Sequence, residues 1–343
     1  MISNITNKRI LIAPLNWGLG HATRDVSIIR DLLKNENEVF VAGNLNTIRI
    51  LNEEFPDLTF ILFPSFSVKY SKQFLILKLI FSLPYFLFQI AKEHFKLKKI
   101  IKDYEIDVVI SDNRFGLWNK KVRSIFITHQ IMIKLPNSIK LFESLIYKLN
   151  NWFIKHYDEC WIPDFEHDEN LSGDLSHKYK KPKNAKFIGA QSRFILPEEK
   201  PEEKEKLLVL LSGPEPHRTF LENQIIEQTK NIEIPTLIVR GLPHETQEMK
   251  QIHKNVFAIS HFNSKILMRE ILTSKYIICR AGYSTIMDLH TLQKKAIIIP
   301  TPQQTEQEYL AEYLHKKKIF FAVNQENLMI QDVLKNKYLW FKT

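Results

Sequence analysis

Four short stretches of the chain concentrate residue types suited to a phosphate, a sugar and a proton. The first is Gly18-Leu19-Gly20-His21-Ala22-Thr23-Arg24. Its two glycines let the backbone turn tightly ahead of a helix, whose first N–H groups can meet an anion or another acceptor. His21 stands at that helix start, where the dipole favours neutral imidazole, the form that serves as a general base. Gly18, Gly20 and Thr23 are the expected acceptor or phosphate loop. The pattern lacks the third glycine of a dinucleotide fingerprint. The second stretch is Cys279-Arg280-Ala281-Gly282-Tyr283-Ser284-Thr285-Ile286-Met287-Asp288. Gly282 allows a turn after an apolar strand, Ser284 or Thr285 can cap a helix, and Asp288 lies one turn into it. Such a helix offers N–H groups to a diphosphate and a carboxylate to a diol. In the third, Pro300 to Tyr309, the side chains of Gln303, Gln307 and Glu308 suit sugar hydroxyls, which both donate and accept. The fourth is Ser111-Asp112-Asn113-Arg114-Phe115-Gly116. Its Asp112 can orient His21 or an acceptor hydroxyl, or can simply close an Asx-type turn.

Elements must exist to hold these residues. Lys8–Pro14 reads as a buried strand feeding the first glycine loop, and the following Val26, Ile29, Leu32 and Leu33 share one helical face. Glu38–Ala42, Thr59–Phe63, Asp107–Ser111 and Arg123–Thr128 are further short apolar runs with helical patterns interspersed. The second half repeats the theme with Lys206–Ser212, Pro235–Arg240, Val256–Ile259, Tyr276–Cys279 and Ala296–Pro300. Strands alternating with helices give α/β units around parallel sheets. The stretch 196–206 has two prolines and a block of charge and reads as an exposed linker. The expected architecture is therefore two Rossmann-like domains facing each other across a cleft, 1–195 and 207–343.

Composition narrows the class. The 343 residues are 44% hydrophobic and 25% charged, an ordinary globular profile. Two cysteines exclude a disulfide framework and a cysteine-based zinc site. The first strand is too short for a signal peptide, so a cytoplasmic location is expected. The net charge of +10 is uneven: residues 1–150 hold 21 Lys and Arg against 13 Asp and Glu. A basic first half calls for an anionic partner. Phe74–Ile90 is nearly all apolar or aromatic, yet Lys78 and Pro84 count against a membrane span, and lysines flank it on both sides. That is the layout of a segment lying on an anionic lipid surface; the plainer reading is a pair of core helices broken at Pro84. Apolar residues interleave the basic ones and no nucleic-acid-binding motif is present, so no nucleic-acid partner is expected.

The glycine-loop histidine, the C-R-A-G-x-S-T-x-x-D run and the P-x-P-x-x-x-E-Q-E-x-x-A run together resemble family 28 glycosyltransferases, which include the enzyme adding N-acetylglucosamine to the lipid-linked peptidoglycan precursor. The resemblance implies a GT-B fold with a nucleotide-sugar donor on the C-terminal domain and an acceptor on the N-terminal one. It places Asp288 at the donor ribose, and Gln307 and Glu308 at the donor sugar. It places Arg193 of Gly189-Ala190-Gln191-Ser192-Arg193 at the diphosphate, where a guanidinium matches phosphate oxygens. Ser212 and Gly213 fall in the loop opening the C-terminal domain, and His21 near the phosphates. Glu308 departs from the family's second amide, Asp288 is shorter than the usual Glu, and the Asp112 loop has no family counterpart.

These readings converge on an inverting transfer from a UDP-sugar, with N-acetylglucosamine favoured by the resemblance, to a hydroxyl of a lipid-linked or membrane-proximal acceptor in cell-envelope glycan synthesis. His21 or Asp112 takes the proton. Gly282, Tyr283, Ser284 and Arg193 attend the donor, and neither a metal nor a cofactor is required. The enzyme is expected at the inner face of the cell membrane, as a peripheral protein. The competing readings are a nucleotide-sugar 2-epimerase or hydrolase of the same fold, and a non-catalytic, membrane-associated sugar-nucleotide-binding protein.

Overall fold

The computed structural model describes residues 2–16, 19–63 and 75–335, with the side chains of Ser3 and of residues 75–83 outside the description. The chain divides into two compact units, one of residues 1–133 and 141–191, the other of residues 134–140 and 192–343.

The first unit runs β1 (Arg9–Pro14), α1 (Gly20–Lys34), β2 (Glu38–Gly43), α2 (Leu45–Glu54), β3 (Thr59–Leu62), α3 (Leu75–Asp103), β4 (Val108–Asp112), β5 (Arg123–Ile127), α4 (Glu143–Ile154), β6 (Glu159–Ile162), α5 (Asp174–His177) and β7 (Ala185–Phe187). Its strands form one parallel sheet in the order β3-β2-β1-β4-β5-β6-β7. Helices covering a parallel sheet on both faces demand nearly continuous apolar strands. RILIAP and VVISD meet that demand, and Ile10, Ile12, Val109 and Ile110 are fully buried. Each such side chain contributes about 1.5–3 kcal/mol relative to exposure. The order reverses direction between β1 and β4, where Pro14 lies opposite Asp112. The carboxyl ends of two strands diverging in this way leave a crevice, the ligand position of open α/β sheets.

The second unit runs β8 (Lys204–Leu210), α6 (His217–Thr229), β9 (Thr236–Val239), β10 (Lys250–His253), β11 (Val256–Ile259), α7 (Ser264–Thr273), β12 (Ser274–Arg280), α8 (Tyr283–Thr291), β13 (Ile297–Ile299), α9 (Thr305–Lys316), β14 (Phe321–Ala322) and α10 (Ile330–Leu334). Its sheet has the order β10-β11-β9-β8-β12-β13-β14, parallel except for the β10–β11 pair, and reverses between β8 and β12. The charged stretch read as linker through residue 206 is already strand from Lys204 onward. The edge strands β7, β10 and β14, and β6, are only two to four residues long, too short to announce themselves in the sequence.

Of the segment expected either on a membrane or as two broken core helices, Phe74 lies outside the described residues and the rest, from Leu75, belongs to α3, which continues through Pro84. A proline in mid-helix costs one backbone hydrogen bond but need not end the helix when packing holds both sides. The packing is visible C-terminal to it. Glu93 takes a 2.7 Å hydrogen bond from buried Arg114, Phe86 meets Phe115 edge-on at 6.1 Å, and His94 lies 4.6 Å from Trp118. Gly116 permits this approach, since a Cβ there would lie 2.5 Å from the Ile90 carbonyl oxygen. Backbone cannot yield as a side-chain tip can, so Gly116→Ala should destabilise the first unit by about 1–3 kcal/mol. Thermal unfolding checks this; an unchanged midpoint would remove Gly116 as the contact that seats α3.

Candidate functional site

In the first unit the β1/β4 reversal gathers five polar side chains. The N-cap of α1 is Leu19, whose side chain offers no cap, and Gly20 is the first helical residue. His21 and Arg24, three apart, lie on one face of α1. Asp112 ends β4 and is fully buried, while the side chain of His21 is 18% exposed. His21 Nδ1 is 3.0 Å from Asp112 Oδ2. Arg24 grips the same carboxylate with both prongs, Nε donating to Oδ2 at 2.8 Å and a terminal nitrogen to Oδ1. Its other terminal nitrogen donates to Nδ1 of buried His129 at 3.1 Å. The guanidinium and the His21 ring hold the Asp112 carboxyl well below the usual carboxylate range, against its burial.

Asp25 is the fifth member. It is fully buried and neither of its oxygens finds a hydrogen-bond donor. Burial first, and then the neighbouring Asp112 charge, push its carboxyl well above the ordinary value. Two adjacent buried carboxyls cannot both ionise cheaply, so Asp112 carries the charge and Asp25 the proton. Arg24, Asp25 and His129 do not stand out in the sequence. Arg24 has a signal there, its helical spacing from His21; His129 has none, because its approach depends on β5 pairing with β4.

The other residues expected in the first unit divide. Gly18 lies outside the described residues. Thr23 is buried and its hydroxyl donates to the Gly20 carbonyl at 3.0 Å, so it serves its own helix turn. Asp112 is a partner of His21 rather than an Asx-turn residue. The turn that follows is closed by Ser111 Oγ donating to the Arg114 carbonyl at 2.6 Å, with Asn113 at φ +59°.

In the second unit Asp288 and Arg193 meet one another. Arg193 Nε donates to Asp288 Oδ2 at 3.1 Å, and Ser192 Oγ donates to Oδ1 at 2.6 Å. Burial nevertheless holds the Asp288 carboxyl above its ordinary range, with Arg193 opposing. α8 begins at Tyr283 with Gly282 at its N-cap and no side chain capping it, so Ser284 and Thr285 lie within the helix rather than at its cap. Tyr283 is buried and Ser284 half-buried. Arg280 is a buried brace, donating to the carbonyls of Pro300 and His217 and to Gln325. Burial lowers its guanidinium to about 10. Ser212 is half-buried, and Gly213 takes φ +101°, a conformation that suits glycine alone. Gly213 faces Thr301, whose fully buried hydroxyl oxygen has no partner. Gln307 and Glu308 turn back on their own loop, accepting from the Thr301 and Gln303 N–H groups at 2.9 and 2.8 Å. Among the described residues no group of three His, Cys, Asp or Glu side chains is arranged for a metal ion.

Residues 196–338 match the glycosyltransferase family 28 C-terminal domain. No curated protein matches the sequence. Among solved structures, the glycotransferase of kitacinnamycin is similar with a TM-score of 0.65 at 12% identity, over 96% of this chain and 90% of that one. LpCGTa in complex with UDP is similar with a TM-score of 0.63 at 8% identity, over 98% and 91%. MurG of Acinetobacter baumannii is similar with a TM-score of 0.53 at 12% identity, over 98% and 91%. The fold is GT-B. Fold and domain match together define the class, the GT-B glycosyltransferases.

The raised Asp25 carboxyl has a consequence for stability. The folded chain keeps a proton that the unfolded chain releases above the ordinary value of 3.8, so this residue's contribution to stability falls as pH rises from there toward its folded value. Asp25→Asn removes that slope. The midpoint of thermal unfolding of the variant, relative to wild type, should therefore rise between pH 4 and pH 8; a constant difference would mean that Asp25 is ionised in the fold.

Proposed function

We propose that the protein is an inverting glycosyltransferase that moves a hexose, N-acetylglucosamine first, from a UDP-sugar to a hydroxyl of a lipid-linked or membrane-proximal acceptor in cell-envelope glycan synthesis. The observation that carries the reading is the His21–Asp112 pair at the β1/β4 reversal of a GT-B fold whose C-terminal portion matches a family 28 domain. The similarity to LpCGTa, whose structure is a complex with UDP, supports the choice of nucleotide.

In this reaction the ring of His21 accepts the acceptor's hydroxyl proton, backed by Asp112. The acceptor oxygen bonds to the sugar C1 as the C1–O bond to the diphosphate breaks, and UDP departs with the electron pair. Arg193 and the N–H groups at the start of α8 meet the growing charge on the diphosphate. Donor binding recruits Arg193 from Asp288, freeing a carboxylate for the ribose diol. Gln303, Gln307 and Glu308 stand beside the sugar. No step is routed through a metal ion.

The membrane part rests on an aromatic face of the first unit. Trp118 links His94 of α3 to His156, at 4.6 and 4.8 Å, and His156 meets Trp152 of α4 at 4.7 Å. On this unit Phe88 is 62% exposed, Trp152 55% and Leu141 95%, and α3 carries Lys92, Lys96, Lys98 and Lys99. Exposed aromatics on a unit whose helix α3 is rich in lysine suit an anionic lipid surface at the inner face of the membrane. Among the described residues no helix is long and apolar enough to cross a membrane.

Incubation with UDP-N-acetylglucosamine and a lipid-linked acceptor tests the chemistry. His21→Ala should lower turnover by about 100-fold or more with little change in UDP affinity. Asp288→Ala should weaken UDP binding by about tenfold or more. Epimerised sugar, or rapid acceptor-free turnover, would replace the transferase reading. Flotation with phosphatidylglycerol vesicles tests the surface: Phe88→Ser with Trp152→Ser should reduce binding at least about tenfold, given the apolar area involved. Wild-type protein that ignores such vesicles would end the membrane assignment.

A further inference from the structure

The solvent side of α4 is apolar where a surface helix is ordinarily polar. The exposed residues of this helix are Ser144, Leu145, Lys148, Leu149 and Trp152. Spacings of three and four place Leu145, Lys148, Leu149 and Trp152 on one face. Leu145 is 59% exposed and Leu149 42%, and Leu141 and Phe142, directly before the helix, are exposed as well. A single exposed leucine is unremarkable, but Leu141, Phe142, Leu145, Leu149 and Trp152 together make a stripe. Rotation about the helix axis cannot hide it, because polar contacts pin the opposite side. Buried Glu143 accepts a 2.8 Å bond from Lys178, and buried Asn150 donates to the carbonyls of Gln130 and Ile131 at 2.8 and 3.0 Å. Turning the helix would strand a carboxylate and an amide without these partners.

Charge names the occupant. Lys148 stands within the stripe, and Lys155, at the C-cap of α4, is exposed one turn beyond Trp152. The one acidic residue of α4 is Glu143, on the buried side. The exposed face therefore carries positive charge and no carboxylate. A second copy docked through the same face would set lysines against lysines, since a two-fold interface presents one patch to itself. An anionic lipid surface takes both halves of the pattern, the apolar side chains below the headgroups and the lysines at their level. We propose that α4 lies along an anionic lipid surface, with Leu141, Phe142, Leu145, Leu149 and Trp152 entering the boundary between headgroups and acyl chains and with Lys148 and Lys155 meeting lipid phosphates. This rests on the reading of a membrane partner for the first unit, which drew on α3 and Trp152, and it assigns the contact to one helix and its solvent face.

The test is co-sedimentation of the full chain with vesicles of equimolar phosphatidylglycerol and phosphatidylcholine. Leu145→Ser with Leu149→Ser changes only outward-facing side chains, so the thermal midpoint should hold while partition onto the vesicles falls at least about tenfold. Lys148→Glu with Lys155→Glu, which leaves the apolar stripe intact, should lower partition at least about tenfold as well, through charge alone. Lipids brominated near the headgroup should quench wild-type tryptophan emission, and Trp152→Phe should reduce that quenching. Wild-type binding that both double variants retain in full overturns the assignment to α4 and leaves the membrane reading of the first unit standing. Wild-type protein that ignores the vesicles takes down that reading, and α4 with it. A concentration-dependent dimer that Leu145→Ser with Leu149→Ser dissolves gives the face to a second copy and also overturns the proposal.

Discussion

A buried arginine–carboxylate pair organises the polar cluster of the first unit. Asp112 has no exposed surface and Arg24 almost none, so neither charge is tolerable without the other. Removing one partner of such a pair costs about 3–5 kcal/mol, because the remaining charge is left in a medium that solvates it poorly. The pair in turn requires that β1 and β4 be adjacent and in register at Pro14 and Asp112. Sheet order, helix entry and charge pairing are thus one constraint. The strand-order reversal opens the crevice, the helix after β1 brings His21 and Arg24 to it, and β4 delivers Asp112.

The second unit solves a parallel problem differently. Its reversal lies between β8 and β12, and the loops after those strands contain Gly213 and Gly282. Here Arg280, read as part of a motif, is a brace that ties β12 to Pro300 and His217, while Arg193 and Asp288 satisfy one another. Burial raises the Asp288 carboxyl, and its arginine partner is partly exposed. The unpartnered hydroxyl of Thr301 beside Gly213 is a second place where the unit has polar capacity unspent.

Outside the sites, α3 shows how one helix takes two environments. Its C-terminal half is locked by Glu93–Arg114 and by the close approach of Gly116 to Ile90. Phe88 and Phe95 on the same helix point to solvent. Both exposed rings and both locking contacts lie on the part of the helix C-terminal to Pro84.

Much was determined by the sequence alone. Apolar runs such as RILIAP and KLLVLL, separated by helical patterns, declare parallel sheets, because only strands buried on both faces can be so uniformly apolar. Glycines after such runs point to strand ends, the crevice position of open α/β sheets, and His21 and Asp112 stand side by side at one of them. The tertiary structure decided the partners. Asp112 is clamped by Arg24, burial and the Asp112 charge push the Asp25 carboxyl up, and Asp288 is answered by Arg193 and Ser192. Each of these pairings joins residues far apart in the chain. Short-range patterns report which face of an element is buried. They do not report which charge stands opposite, because that is set by strand order, and a charge's protonation is set by what stands opposite.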